Sequence, residues 1–219
     1  TEDNEGLIWF SFFGNIICRT DDRLDLDSGK RIQFNRLEKL IEKLKNEQVF
    51  RLFQDIKGFW WIGTNKGVFL YNDKNEQLRK VRLQIGEELI EPTLIRVIDQ
   101  ISTNEILLGG AKVHLLQNPW SAILNNKPVK IEKPLFEIEN SFRVNEFVKD
   151  GFGNYWFATT NGIYQLVNNE GVWIVKNHLT TKSVDNKLNL SHNNIFSIHL
   201  SLNKDVWLGT FGGGLMKIQ

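Results

Sequence analysis

The sequence contains one cysteine and no long apolar run, and each scarcity excludes a class of protein. Cys18 cannot form a disulfide bond within the chain, so we interpret it as a packed strand residue. No apolar stretch approaches the roughly twenty residues that are needed to cross a bilayer. The formal net charge of +1 creates no field that would attract nucleic acid or a membrane surface.

Motifs that would carry catalysis are also missing. The four histidines do not pair at a metal-ligand spacing, and a single cysteine cannot support a zinc site. No Gly-x-Ser-x-Gly motif is present, which leaves a hydrolase nucleophile without support. The glycine run 212–214 stands between two predicted strands, so it indicates a hairpin turn and not a phosphate-binding loop. We therefore expect no cofactor, no metal and no catalytic residue.

A short motif that ends in tryptophan recurs about every fifty residues. It consists of a turn aspartate, a glycine three positions later, and an anchor position three residues after the glycine. The intervals between successive anchors are 52, 46, 49 and 51 residues, and the anchors are Trp9, Trp61, Leu107, Trp156 and Trp207. A near-constant period in this range predicts a repeat architecture.

Each repeat has the composition of four short strands. In the second repeat, strand-forming residues occupy 49–53, 59–62, 68–71 and 78–83, and turn-forming residues separate them. A single sheet of four strands cannot bury both of its faces, so it needs neighbours on either side. The anchor tryptophan lies on the second strand, and we interpret it as packing between adjacent sheets.

These features predict an all-β fold, a β-propeller made of four-stranded antiparallel blades. A β-sandwich is the second choice, but it would not repeat its sequence at constant spacing. The predicted divisions are a partial blade at 1–34, blades at 35–83, 84–131 and 132–175, and a partial blade at 176–219. The partial blades lead us to expect a segment of a larger propeller of about seven blades.

The connections between blades differ in character. Residues 35–48 carry apolar residues at helical spacing, which predicts a short amphipathic helix. Residues 119–124 indicate a helical turn or a hydrophobic plug. Residues 176–194 are polar and predict a long loop.

The recurring aspartates raise the question of paired catalytic carboxylates, because many propellers are glycosidases. Asp3, Asp55 and Asp150 occupy equivalent turns on successive blades. Equivalent turns lie far apart on one rim of a propeller, so these residues do not converge. We interpret them as structural turn residues.

Ligand binding is the remaining hypothesis for a site. In a propeller, the loops between the second and third strands share a face with the loops that enter each first strand. That face would present polar and aromatic residues suited to sugar hydroxyls and rings, namely Asn65, Lys66, Arg143, Asn161, His192, Asn193 and Phe211. Three further candidates on first strands, placed near the central channel, could reach an anionic group: Arg51, Arg96 and Asn145.

The repeats resemble the two-component regulator propeller repeat, which reads roughly Asp-x-x-Gly-x-x-Trp-Ile-Gly-Thr-x-x-Gly-Leu. The resemblance is carried by residues 55–71, 150–166 and 190–215, and the repeats extend over nearly the whole chain. The sequence departs from this pattern at position 107, where Leu107 replaces the tryptophan. Ile101 with Asn104, and Ser201 with Lys204, replace the turn aspartate and glycine. These turns must therefore close differently.

The resemblance implies a non-catalytic sensor region of a hybrid histidine kinase receptor, common in Bacteroidetes. It implies a periplasmic location, an extracellular oligosaccharide or other small ligand, and neighbouring receptor domains as partners. A membrane connection would come only through other parts of the receptor, and exposed strand edges favour dimerisation. The alternatives are a carbohydrate-active lyase or hydrolase, and a scaffold that binds protein on its rim.

Overall fold

The structure is a computed structural model, which describes residues 1–12, 16–23, 31–45, 47–132, 134–137, 143–170, 172–182, 190–201 and 205–218. The chain folds into two compact units. The first comprises Thr1–Leu108 and Leu115–Lys133, and the second comprises Gly109–His114 and Pro134–Gln219. The described residues form mainly short antiparallel strands, as the repeat predicts.

The first unit opens with two sheets that follow the chain. Blade 1 is a three-stranded sheet of β1 (Trp9–Phe12), β2 (Ile16–Thr20) and β3 (Phe34–Arg36). The predicted helix follows as α1 (Glu38–Lys43), which buries Leu40. Blade 2 is a four-stranded sheet of β4 (Val49–Gln54), β5 (Trp60–Thr64), β6 (Val68–Asn72) and β7 (Gln77–Lys80).

An additional small sheet follows blade 2. Its hairpin consists of β8 (Leu83–Ile85) and β9 (Glu88–Ile90). Blade 3 then contains β10 (Val97–Ser102), β11 (Glu105–Gly109) and β12 (Lys112–Gln117). The chain continues through α2 (Trp120–Leu124), where a helical turn was predicted, to β13 (Val129–Lys130), which pairs in parallel with β8. The last strand of blade 3 is β14 (Phe136–Glu137).

The second unit contains two more sheets in chain order. Blade 4 consists of β15 (Val144–Lys149), β16 (Tyr155–Thr159), β17 (Gly162–Asn169) and β18 (Val172–Leu179). Blade 5 consists of β19 (Ile195–Leu200), β20 (Val206–Thr210) and β21 (Gly214–Ile218). The glycine run 212–214 forms the hairpin between the last two strands, as predicted.

The predicted loop at 176–194 is wrong at its beginning, because β18 continues through Leu179. The strand stays paired with β17 here, and the imidazole of His178 stacks on the ring of Tyr164 at 3.9 Å between centroids. Residues 183–189 of that loop lie outside the described residues.

The recurring aspartate links its turn to the tryptophan of the same repeat. Oδ1 of Asp55 accepts hydrogen bonds from the backbone N–H groups of Lys57 and Phe59, each at 2.9 Å. Oδ2 of Asp55 accepts a hydrogen bond from Nε1 of Trp61 at 2.8 Å. Gly58 has a φ of +83°, a conformation that glycine adopts without the steric cost other residues meet. The motif therefore fixes the turn and the indole ring together.

The same bonds recur around the other two aspartates. Asp3 accepts from two backbone N–H groups and from Nε1 of Trp9 at 2.8 Å. Asp150 accepts from two backbone N–H groups and from Nε1 of Trp156 at 3.0 Å. The prediction of a structural turn aspartate is confirmed, and the bond to the indole is its second function.

The two turns that lack the aspartate close differently, as predicted. In blade 5, Oγ of Ser201 accepts a hydrogen bond from the backbone N–H of Asp205 at 3.1 Å. In blade 3, Ser102 accepts a weaker bond of 3.3 Å from the backbone N–H of Asn104, within a shorter turn. Lys204, which stands in the glycine position of blade 5, lies outside the described residues.

Three of the four anchor tryptophans, Trp9, Trp61 and Trp156, pack against a neighbouring sheet within their unit, whereas Trp207 is partly buried on the last sheet. Trp9 is buried and contacts Trp60 of blade 2 with ring centroids 4.0 Å apart. Trp61 is buried in a cluster with Ile95, at the entrance to β10, and Ile98 of blade 3. The side chain of Trp156 packs partly buried against blade 5 residues. These contacts confirm, for Trp9, Trp61 and Trp156, that the repeated indole packs between blades.

Candidate functional site

The loops between second and third strands meet the segments that enter first strands, as predicted. In the first unit, the carbonyl of Asn65 accepts a hydrogen bond from the N–H of Leu94 at 3.3 Å, just before β10. In the second unit, the carbonyl of Asn193 accepts one from the N–H of Gly162 at 2.6 Å. The two kinds of loop therefore share one side of the sheets within each unit.

A buried threonine closes these turns. Oγ1 of Thr64 accepts from the N–H of Gly67 at 3.0 Å and donates to its carbonyl. Thr159 donates in the same way to the carbonyl of Gly162 at 2.9 Å. This threonine is the last residue of the Trp-x-Gly-Thr or Trp-x-Ala-Thr portion of the repeat, and its hydroxyl explains its presence there.

The predicted site residues of the first unit differ in their freedom to bind a ligand. Asn65 is committed to structure, because its N–H and Oδ1 bond to the backbone of Gln48. The guanidinium of Arg96 lies 4.6 Å from the ring centroid of Phe50, in a cation–π contact. Arg51 on β4 and Lys66 in its turn are exposed.

Three predicted residues of the second unit are brought together by turn contacts. The backbone of Arg143 exchanges two hydrogen bonds with Thr160, the residue before Asn161. The carbonyl of Asn161 accepts a hydrogen bond from Nε2 of His178 at 2.7 Å. The carbonyl of Asn193 accepts a hydrogen bond from the N–H of Gly162, the residue after Asn161. Oδ1 of Asn193 accepts a second hydrogen bond, from the N–H of Thr181.

The other three predicted residues of the second unit have separate environments. Nδ1 of His192 accepts a hydrogen bond from the N–H of Asn194 at 3.0 Å. Nδ2 of Asn145 donates to the carbonyl of Ile195 at 2.8 Å, which ties blade 4 to blade 5. Phe211 is exposed at the tip of its turn.

A pocket that we did not predict from the sequence lies beside the turn of Asp150 in the second unit. This turn is not at the end of the sheets that carries the predicted loop residues. Its volume is about 320 Å³. The side chains of Asp150, Asn154, Trp156 and Gln165 supply its polar and aromatic lining. Leu200, Val206 and Ile218 of blade 5 supply apolar lining. Trp156 is less buried here than Trp9 and Trp61 in the first unit, so its ring borders open space.

The carboxylate in this pocket is held in its ionised form. Burial by itself raises the pKa of Asp150, but hydrogen bonds outweigh it. The donors are Nε1 of Trp156, Nδ2 of Asn154, and the backbone N–H groups of Asn154 and Phe152. The net effect places the pKa of Asp150 below its usual value.

The corresponding position of the first unit is filled. Nε1 of Trp120, on α2, donates a 2.6 Å hydrogen bond to Oδ2 of Asp55. Trp120 belongs to the same buried cluster as Trp61 and Leu70. Nζ of Lys57 lies 3.5 Å from the centroid of the Trp120 ring. An indole ring therefore packs beside the carboxylate of Asp55 in the first unit.

Comparison of the repeats contains the signal that could have revealed the pocket. Asn154 stands where the second repeat has Phe59, four residues after the turn aspartate. Gln165 is the cross-strand partner of Trp156, whereas Leu70 is the cross-strand partner of Trp61. The two apolar positions next to Trp61, Phe59 and Leu70, therefore correspond to the amide side chains of Asn154 and Gln165 next to Trp156.

Neither a metal cluster nor a membrane-spanning helix is found in the part of the chain that the structure describes. No group of three or more His, Cys, Asp and Glu side chains there is placed to hold a metal ion. None of the helices there is long and apolar enough to cross a membrane.

The sheets and their connections define an all-β fold of the β-propeller class, as predicted. A solved structure with this fold is the extracellular domain of BT4673 from B. thetaiotaomicron, described as a one-component or hybrid two-component system. The match has a TM-score of 0.67 and 18% identity, and it covers 97% of this chain and 26% of that one. At this identity the match shows the β-propeller fold.

Two further structures show the same fold. PorZ, a surface component of the type-IX secretion system of Porphyromonas gingivalis, matches with a TM-score of 0.64 and 17% identity, over 100% of this chain and 31% of that one. Virginiamycin B lyase from Staphylococcus aureus matches with a TM-score of 0.61 and 13% identity, and the match covers 100% of this chain and 65% of that one. No protein-family model matches the chain, and no curated protein is significantly similar to it in sequence.

Proposed function

We propose that this chain is a ligand-sensing propeller segment of a two-component signalling receptor and that it has no catalytic activity. The observation that supports this most is the structural match to the extracellular domain of BT4673 over 97% of the chain. The repeat motif supports it independently, because it resembles the repeat of two-component receptor propellers. The chain spans about a quarter of the length of the BT4673 domain, so the activity of a whole receptor is part of the proposal.

The proposed ligand is an extracellular oligosaccharide. This is supported by three exposed predicted residues: Arg51 on the first strand β4, Lys66 in a loop of the first unit, and Phe211 in a loop of the second. Aromatic rings stack on the apolar faces of sugars, and cationic or amide groups bond to hydroxyls. The proposed location is the periplasm, with neighbouring receptor domains as partners.

A thermal-shift screen of the 219-residue chain against neutral and acidic oligosaccharides tests this function. Binding to the folded state alone raises the unfolding midpoint, by an amount that grows with ligand concentration over Kd. We expect one structural class of sugar to stabilise the chain. An unchanged midpoint across the whole panel would contradict the proposal.

Product analysis tests the absence of catalysis. The stabilising sugar is incubated with the protein, and the mixture is separated by chromatography. We expect the sugar to remain intact. Cleavage at a rate proportional to protein concentration would instead support the alternative of a carbohydrate-active propeller enzyme.

A further inference from the structure

Two glutamines connect the aspartate turns of neighbouring blades in the first unit. Gln54 and Gln100 both stand directly before the turn-aspartate position of their repeats. Oε1 of Gln54, in blade 2, accepts a 2.7 Å hydrogen bond from the backbone N–H of Asn4, in the turn of blade 1. Oε1 of Gln100, in blade 3, accepts one of 2.9 Å from the backbone N–H of Ile56, in the turn of blade 2. In both places the glutamine of one blade therefore bonds to the residue that follows the turn aspartate of the preceding blade.

These bonds form a continuous chain from turn to turn. Nε2 of Gln54 donates to the carbonyl of Gly58 at 3.3 Å, so this side chain bonds to the turn of its own blade as well as to that of blade 1. Nδ2 of Asn4 donates to the carbonyl of Asp55 at 3.3 Å, which is a second connection between the same two turns. The turn of blade 2 is bonded onward to Gln100. Three consecutive turns are thus linked by side chains outside the sheet ladders.

The turns also hold the tryptophans that pack between blades. The carboxylate of Asp55 bonds to two N–H groups of its turn and to Nε1 of the buried Trp61. Asp3 makes the same bonds in blade 1, where the buried indole is that of Trp9. A displacement of either turn would move the acceptor of a buried indole. Residues in one hydrogen-bond network influence one another in this way.

The amide of Gln100 is present for its acceptor and not to fill space. Its Nε2 is buried and has no hydrogen-bond partner among the residues that the structure describes. A buried polar group without a partner is unfavourable, so an apolar side chain would suit this position better if packing were its only role. What a glutamine adds here is Oε1, the acceptor for the N–H of Ile56.

The second unit carries other residues at the same position of its repeats. Blade 4 has Lys149, whose Nζ lies 5.8 Å from the ring centroid of Tyr155. Blade 5 has Leu200, which packs partly buried in an apolar cluster. Neither side chain carries an acceptor for the N–H of a neighbouring turn. The glutamines are therefore particular to blades 2 and 3, and Lys149 offers a control position.

We propose that the glutamine contacts make the turns of blades 1, 2 and 3 a conformational relay. Pressure on one turn, for example from a molecule that contacts the exposed side chain of Ile56, passes through Gln54 and Gln100 to the adjacent turns and to the indole of Trp61. The relay couples neighbouring blades while their sheets stay intact. It goes beyond the proposed function, because it does not depend on which ligand binds.

Hydrogen exchange of single N–H groups, measured by NMR on the 219-residue chain, tests the relay. Gln100→Met keeps the length of the side chain and removes the acceptor. We expect faster exchange at Ile56, which loses its partner. We also expect it at the amide of Asn4 and at the indole of Trp61, which bond to other residues. Each of these two remote rates should rise at least about twofold, near the lower limit of what one neutral hydrogen bond contributes to stability.

Two further variants complete the experiment. Lys149→Met makes the matched change in blade 4 and should leave the exchange rates of Asn4 and of the Trp61 indole unchanged. Gln54→Met removes the contact between the turn of blade 1 and the glutamine of blade 2. In that background, Gln100→Met should change the rate at Asn4 by a smaller factor than it does in the unaltered chain, because the two glutamines act in series.

Three results would overturn the relay. If Gln100→Met accelerates exchange at Ile56 alone, each glutamine fastens only its own pair of turns. If the factors of the two glutamine substitutions simply multiply at Asn4, the contacts are independent. If Lys149→Met has the same remote effect, the change does not pass through the glutamines. All of these results leave the proposed oligosaccharide binding untouched, since the thermal-shift screen tests it separately.

Discussion

The indole N–H of Trp120 donates a 2.6 Å hydrogen bond to Oδ2 of Asp55, a residue 65 positions earlier in the chain. Asp55 is completely buried, and its Oδ2 also accepts from Trp61. One carboxylate therefore joins the turn of blade 2, the repeat tryptophan, and a helix from outside the repeat. Hydrogen bonds to a charged, buried acceptor are among the stronger ones in proteins.

Replacing Trp120 by phenylalanine should destabilise the protein. The variant keeps an aromatic ring in the buried cluster but removes one of the donors to Asp55. We expect the free energy of unfolding to fall by about 1.5–3 kcal/mol, the usual worth of a hydrogen bond to a charged group. Urea denaturation followed by circular dichroism measures the change.

Trp207→Phe is the control for this experiment, because Trp207 is only partly buried on the last sheet. We expect it to change the free energy of unfolding by less than about 0.5 kcal/mol. Equal effects of the two substitutions would show that the bond to Asp55 contributes no special stability.

The turn glycines offer a second test with a control two residues away. A Cβ added at Gly153 or at Gly151 would meet no atom within 4 Å, so neither site is sterically filled. Gly153 has a φ of +84°, whereas Gly151 does not have a positive φ. Gly153→Ala should therefore cost about 1–2 kcal/mol from backbone strain alone. Gly151→Ala should leave the denaturation midpoint unchanged, and a comparable loss in both would contradict this account.

The repeat period predicted the sheets because every blade must bury the same faces. The spacing between Asp55 and Trp61 is fixed because the carboxylate of the turn bonds to the indole. The repeat is therefore visible in the sequence. The end of strand β18, residues 176–179, was mistaken for a loop because its exposed residues, such as Lys176 and Asn177, have no apolar alternation. An outer strand of a sheet needs little apolar surface, and composition alone does not separate it from a loop.

The pocket could not be predicted from the motif alone. It depends on the register that places Gln165 opposite Trp156, and on what occupies the adjacent space. In the first unit that space is filled by Trp120, which lies in a connection that does not repeat. Spacing along the chain carries no information about such an insertion. Of the predicted loop residues, Asn65 and Asn193 prove to support loop contacts, which a list of residue types cannot show.

Gly63 should tolerate no side chain, for a reason different from that of the turn glycines. A Cβ there would lie 2.5 Å from the backbone oxygen of Ile95 and 3.1 Å from Cδ1 of Ile98. The obstacle is the backbone at the entrance to blade 3, which cannot move without opening the packing around Trp61. Gly63→Ala should therefore cost about 1–3 kcal/mol, the usual range for overpacking.

Gly67→Ala is the matched control in the same hairpin. Its Cβ would lie 3.0 Å from Cε of Lys80, the end of a flexible side chain that can rotate away. We expect a loss below about 0.5 kcal/mol, because the exposed pair of Lys80 with Glu91 contributes little. Thermal denaturation of both variants measures the difference, and equal midpoints would argue against close packing at Gly63.

The lowered pKa of Asp150 predicts a defined loss of stability in acid. A carboxyl group whose pKa is lower in the folded state stabilises that state when it is ionised. This contribution is complete above the ordinary value of 3.8, and it is lost as the pH falls through the folded pKa below that value. Asp150→Asn cannot lose a charge in acid, so its stability should fall less than that of the unaltered chain between pH 5 and pH 2. Urea denaturation across that interval measures both slopes, and parallel curves would show that Asp150 does not couple proton binding to folding.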